Sequence, residues 1–360
     1  RGQQIRYLVS GPAHAKKSVL LIHGLFVNAD HWRRTINELG NAGYRTYAID
    51  LLLGSGYSSK PSADSTEAKL VNGENGRFFP TSDDERIVHH GREKKLQHSI
   101  REHVILGTAS GGRRVAKQLD LRHPLQSCYN FYTWAEQVSD FTRDVIFEGG
   151  RFKTTSLVAN SKGTLVALQA LLDTPEYYNG VCAIDPTYRE MHHAEMKFPA
   201  IQMPIVKVLQ EFLRSRGKGL YNIITTHRTC IKHILKEPYS NVDAVDDDLV
   251  TSLMEPLNLP NAAEVVFDEL SYTTGPLFEQ LLQDINISPS FRRKQIWVCY
   301  GEEDPWLSPK RVESLITKPF QEGGVPVVDK VVAIANAGHC PHDERPEITN
   351  PIILDFLRTC

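Results

Sequence analysis

The sequence predicts a mostly parallel β-sheet covered on both faces by helices. Three observations carry this prediction. Short, β-branched apolar runs recur along the chain, each bounded by Gly, Pro, Asn or Asp. Stretches with apolar residues at helical spacing lie between them. The runs are apolar throughout, as expected of strands buried on both faces.

Taken in order, the strands are expected at Val19 to Ile22 (VLLI), Tyr44 to Asp50 (YRTYAID), Ser156 to Ala159 (SLVA), Val181 to Asp185 (VCAID), Ile296 to Tyr300 (IWVCY) and Val331 to Ala335 (VVAIA). Helices are expected over Phe131 to Ile146 and Lys162 to Leu172. Two segments break the rhythm. Ser62 to Ser127 is polar with Gly-rich patches, and reads as an insertion. Pro186 to Pro289 is largely helical and sits between two core strands, so it reads as a cap. The expected organisation is therefore a core of residues 1–185 and 290–360, an insertion at 62–127 and a helical cap at 186–289.

The bulk numbers exclude several classes. The chain has 360 residues, 41% hydrophobic, enough for a substantial core. A net charge of -2 gives no global case for nucleic-acid binding. No apolar run approaches the roughly 20 residues of a membrane span. The chain opens at Arg1, so any targeting peptide is expected to have been removed or not included, and the compartment is not read from this sequence. The six cysteines are scattered without a CxxC pair, which suggests reduced thiols rather than a disulfide scaffold.

The central motif is Ala159-Asn160-Ser161-Lys162-Gly163, after a strand and opening a helix. That is the nucleophile-elbow context, where small neighbours allow a strained turn that raises the serine hydroxyl above the sheet. Ala159 stands where glycine is usual, and a serine there could also simply cap the helix. His23-Gly24-Leu25-Phe26 ends an early strand. In an elbow architecture such a loop offers one backbone N–H to an oxyanion, here Leu25, and the residue after the nucleophile, Lys162, offers the other. Asp304 and His339 follow the last two expected strands. The order Ser, Asp, His is that of the α/β-hydrolase triad, in which histidine takes the serine proton and the acid fixes the imidazole. Asp185, after the strand that follows the elbow helix, is an alternative acid. Phe26 and Trp306 are the expected substrate contacts.

Other features admit a structural reading. His339-Cys340-Pro341-His342 resembles a metal cluster, but the spacing is cramped and no metal or other cofactor is expected. The His89-His90 and His192-His193 pairs read as surface or cap residues. Arg86 to Arg122 holds nine Lys/Arg against Glu93, Glu102 and Asp120. This run could touch anionic lipid or be a solvated insertion. In the cap, Phe198, Ile201, Met203, Ile205, Val208, Leu209, Phe212 and Leu213 could line a cavity or dip into a membrane. The blander expectation is that most pack the cap onto the core.

Several segments together resemble plant and algal pheophytinases and the related algal chlorophyllases. They are HGLFVNADHWR (His23 to Arg33), IDLLLGSGYSSKP (Ile49 to Pro61), YNFYTWAEQVSDF (Tyr129 to Phe141), the elbow, TGPLFEQLL (Thr274 to Leu282), GEEDPWLSP (Gly301 to Pro309) and NAGHCPHDERP (Asn336 to Pro346). The resemblance spans most of Gln4 to Leu357. It implies an α/β-hydrolase fold and cleavage of the ester joining a chlorin to its phytol tail without a cofactor. It also implies chlorophyll or pheophytin as substrate and a plastid location. Peripheral contact with a membrane surface suits so apolar a substrate. The sequence departs from the plant pattern at the insertion, and at Lys162-Gly163-Thr164, where that pattern has an apolar residue and then Gly-Gly. A cation at Lys162 near the pocket could alter substrate choice, leaving the preference for magnesium open.

Overall fold

The computed structural model describes residues 4–52, 54–58, 103–108, 114–119, 127–187, 199–273, 275–287, 291, 294–307, 309–312 and 327–360. The strands are β1 (Tyr7–Ser10), β2 (Ser18–Ile22), β3 (Arg45–Ile49), β4 (His103–Thr108), β5 (Arg114–Leu119), β6 (Thr155–Asn160), β7 (Tyr178–Ile184), β8 (Gln295–Gly301) and β9 (Lys330–Ile334). The main helices are α1 (Ile36–Asn41), α2 (Phe131–Phe141), α3 (Lys162–Asp173), α4 (Pro199–Thr226), α5 (Arg228–Lys236), α6 (Asp247–Leu257), α7 (Ala262–Leu270), α8 (Phe278–Ile287) and α9 (Pro346–Thr359).

A 7-stranded sheet has the order β1-β3-β2-β6-β7-β8-β9. Only β1 runs antiparallel, against β3. All other pairs are parallel. The central strands show why parallel sheets read as unbroken apolar runs. Leu20, Ile22, Leu157 and Ala159 join one core cluster, with Trp134 of α2 and Leu168 of α3. Their alternates Val19, Leu21 and Val158 join a second cluster with Trp32 and Phe356 on the opposite face. The edge strand β1 was not foreseen. Its residues alternate between exposed and half-buried, so it carries no apolar run.

Local chemistry sets the helix starts. Asn130 caps α2 by accepting from the N–H groups of Tyr132 and Thr133, both at 3.1 Å. Every residue of α3 is buried, between the sheet and its neighbours α2 and α8. Cys182 and Cys299 on adjacent strands approach to 3.9 Å, and all six cysteines are free thiols.

The helical segment between β7 and β8 is not one body. α5 and α6 build a separate apolar cluster around Ile231, Leu235, Leu249, Leu253 and Leu257. α8 instead sends Leu281, Leu282 and Ile285 into the main core. Within residues 62–127, β4 and β5 pair antiparallel from His103↔Leu119 to Thr108↔Arg114. Ser127 is buried and donates to Asp268 at 2.5 Å. The His89-His90 and His192-His193 pairs, Phe198 and most of the basic run lie outside the described residues.

Candidate active site

Ser161 sits between β6 and α3 with φ 54 and ψ −126, a left-handed φ that a serine adopts only under constraint. The constraint comes from its surroundings. Its N–H donates to Ile184 O at 3.0 Å, tying the turn to β7. Gly163 has no room for a side chain, since a Cβ there would lie 2.5 Å from His23 O. Gly24 is equally tight, since its Cβ would lie 2.9 Å from Ser161 Cβ. The loop after β2 is thus pressed against the serine, which brings the half-buried Leu25 beside it.

His23 stiffens that loop. Its Nε2 accepts from Leu51 N–H at 3.0 Å and its Nδ1 lies 2.8 Å from Gly24 O, the pattern of a neutral ring. Burial pushes its pKa down, which agrees. Phe26 continues the loop at φ 60.

His339 lies between the serine and an acid. Its Nε2 is 2.8 Å from Ser161 Oγ and its Nδ1 is 2.6 Å from Asp304 Oδ2. Asp304 is held in turn by the N–H groups of Trp306 (2.7 Å) and Leu307 (2.9 Å) on its other oxygen. Burial alone would raise the Asp304 pKa. The hydrogen bond and charge of His339, with the two amides, outweigh it and hold the carboxyl below its ordinary range. Trp306 is 48% exposed, and its ring centroid is 5.1 Å from that of His339.

Asp185 is near but engaged differently. It is fully buried, at φ 44, and its Oδ1 accepts from Gly301 N–H at 2.8 Å. One carboxyl oxygen from it, one from Asp304 and a His339 ring nitrogen lie within 4.8 Å of one another. Burial, and then the Asp304 charge, push its carboxyl well above the usual range. Asp304 takes the imidazole, and Asp185 stays behind it on the Gly301 N–H. Cys340 and His342 point elsewhere than His339. Cys340 joins the cluster of α5 and α6, and His342 lies against Trp32 at 4.2 Å and His31 at 3.2 Å.

Lys162 has an aromatic seat. Its ammonium is buried over the Trp134 ring, 3.9 Å from the centroid, and 5.8 Å from that of Phe131. A cation–π seat holds the charge, so this side chain is anchored against α2. The residues after Phe198 correct an expectation. Ile201, Ile205, Val208, Leu209 and Phe212 are exposed rather than packed onto the core. Leu213 alone of the described set lines a cavity.

Several contacts were not foreseen. Thr187 Oγ1 lies 3.0 Å from Ser161 Oγ. Asn160, within the elbow motif, donates to His339 O at 3.0 Å. Glu344 accepts from the N–H groups of Gly338, Ser240 and Asn241, and His339 N–H donates to Pro238 O at 2.8 Å. The histidine loop is therefore bolted to the chain after α5. The histidine motif contains Glu344, but nothing in its sequence shows where the carboxylate reaches.

A cavity of about 310 Å³ lies beside the loop after β2. Phe26 forms one wall, and α4 to α7 supply the rest, including Leu213, Tyr221, Ile224 and Leu257. Its lining is apolar apart from Thr225 and the Tyr221 hydroxyl, which donates to Leu257 O.

A strained serine bonded to an imidazole that is itself held by a carboxylate can deliver an activated hydroxyl to a carbonyl. The chain belongs to the alpha/beta hydrolase family, whose model matches residues 19–351. Its relationship within that family is pheophytinase-like. The chloroplastic pheophytinase of Arabidopsis thaliana is 24% identical over 350 residues, 95% of this chain. The chain spans 61% of that relative's length. Among solved structures, an esterase from Thermogutta terrifontis aligns with a TM-score of 0.57 at 16% identity, covering 98% of this chain and 93% of the other. The 2-hydroxy-6-oxo-6-phenylhexa-2,4-dienoate hydrolase of Rhodococcus sp. strain RHA1 aligns with the same score, 0.57, at 15% identity, covering 99% and 96%. Both share the fold.

Proposed function

We propose that the chain is a serine carboxylic-ester hydrolase that cleaves the phytyl ester of a chlorophyll-type pigment. The single observation that carries the chemistry is the continuous Ser161–His339–Asp304 chain of hydrogen bonds at 2.8 and 2.6 Å. Ser161 Oγ attacks the ester carbonyl while its proton passes to His339 Nε2. The oxyanion is held by the N–H groups of Leu25 and Lys162. Asp304 stabilises the imidazolium, which then protonates the departing alcohol. Water, deprotonated by His339, cleaves the acyl-enzyme and releases the acid and the serine.

The substrate class is supported by the pheophytinase relationship along 95% of the chain and by the apolar cavity beside Phe26. A branched hydrocarbon tail needs a cavity without polar demands, and Thr225 is the only polar residue type there besides Tyr221. Trp306, whose ring lies 5.1 Å from that of His339, meets the flat chlorin in this reading. In this reading the segment from α4 to α7 is the cap, and the setting is the plastid.

The test is incubation of wild type and Ser161→Ala with chlorophyll a and pheophytin a in detergent, with dephytylated pigment quantified by chromatography. Product from wild type alone supports the reading, and the ratio of the two products gives the magnesium preference. Turnover of short p-nitrophenyl esters with neither pigment cleaved replaces it with a general carboxylesterase.

A further inference from the structure

The helix α4 has an apolar side that the core does not use. Ile201, Ile205, Val208, Leu209, Phe212 and Ile223 are each between 54% and 71% exposed. At 3.6 residues per turn they fall within a sector of about 120°. They form a continuous stripe along a helix of 28 residues. Soluble surfaces seldom carry an apolar patch of this extent without a use.

The stripe is continuous with the cavity. Leu220 falls in the same sector, is 57% exposed and also lines the cavity. Ile234 of α5 and Leu270 of α7 do likewise, at 37% and 45% exposed. The cavity thus opens at an apolar rim on the outer side of α4. α4 carries four cations and the acid Glu211, of which Arg216 alone shares the sector of the stripe by helical phase, while Lys218 pairs with Glu264 at 2.7 Å. Arg216 is exposed. Two copies packed on this face about a two-fold axis would bury each Arg216 against a stripe of α4 that holds no acid. An anionic lipid surface would complement Arg216. No helix of the described residues is long and apolar enough to cross a membrane.

We propose that the outer face of α4 is a docking surface for an anionic lipid bilayer. α4 lies in the interfacial plane with its stripe among the acyl chains and Arg216 among the head groups. This places the mouth of the cavity at the lipid surface, so that an apolar ester enters without crossing water. The docking needs no substrate and stands independently of the pigment reading.

The experiment is flotation with vesicles of phosphatidylcholine mixed with phosphatidylglycerol, against pure phosphatidylcholine, for wild type, the double variant Ile205→Glu/Phe212→Glu, and Arg216→Glu. Wild type is expected to float with the anionic vesicles. The double variant should lose at least about tenfold in partitioning, because burial of each large apolar side chain is worth roughly that much. Arg216→Glu should lose a few-fold and reduce the salt dependence. The thermal midpoints of all three should match, since the altered side chains are exposed. Wild type that stays in the soluble fraction overturns the proposal, as does equal flotation of the double variant. Sedimentation showing a dimer that the double variant dissociates overturns it in favour of a second copy on this face.

Discussion

Leu157 and Phe212 are both large apolar residues on regular elements, and the protein treats them oppositely. Leu157, on β6, is fully buried, whereas Phe212, on α4, is 58% exposed. In the central strands β2, β6 and β7, each apolar run is covered on both faces, so hydrophobicity and burial coincide. In the segment between β7 and β8 they separate. α4 turns Leu213, Tyr221 and Ile224 to the cavity and leaves its other apolar side outside. An apolar sequence pattern therefore states that a face seeks an apolar partner. It does not state whether that partner belongs to the same chain.

The comparison can be broken or sharpened by substitution. The largest effect is expected at the serine. Ser161→Ala should lower kcat by about 10⁴-fold or more while the thermal midpoint holds, measured on any ester the wild type turns over. Asp304→Asn should cost about 10³- to 10⁴-fold, because the amide favours the wrong imidazole tautomer. If Asp185 were the working acid, the equivalent change there would show that loss instead. Core truncation comes next. Leu157→Ala should destabilise the fold by about 2–5 kcal/mol in denaturant titration. The exposed Val208→Ser should change it by less than about 0.5 kcal/mol. Equal costs would mean that the stripe is packed after all. Narrowing the cavity with Ile224→Trp should lower kcat/KM for long branched esters about tenfold and leave acetyl esters unchanged.

The smallest effect concerns pH. The Asp185 pKa is raised in the folded state, so the folded protein holds a proton that the unfolded chain releases. That term costs nothing below the ordinary carboxylate pKa of about 4 and destabilises as pH rises above it. Asp185→Asn should keep the Gly301 hydrogen bond, raise Tm at neutral pH by a few degrees and flatten its fall with pH. Asp304 has the opposite sign. Its lowered pKa stabilises above the ordinary carboxylate range, and that stability is lost as pH falls through the folded value.

The parallel core was legible because β-branched runs such as VLLI and SLVA declare two-sided burial. The serine, acid and histidine were legible because each follows a strand in an order that topology can bring together. What stayed hidden depends on three-dimensional proximity without a local signal. Tyr7–Ser10 joins the sheet edge with no buried face to mark it. Asn160, Thr187 and Glu344 act through hydrogen bonds to groups distant in sequence, which no local pattern marks. The seat of Lys162 over Trp134 was hidden because the two are distant in sequence. The outward turn of α4 was hidden for the same reason, since helical periodicity gives a stripe its width and not its direction.

The central claim is that Ser161 is an activated nucleophile, and intact-mass analysis after treatment with a fluorophosphonate tests it most directly. The account predicts a single adduct per chain, mapped to Ser161, absent in Ser161→Ala and strongly slowed in His339→Ala. An unmodified wild-type chain, or an adduct on another residue, would contradict it.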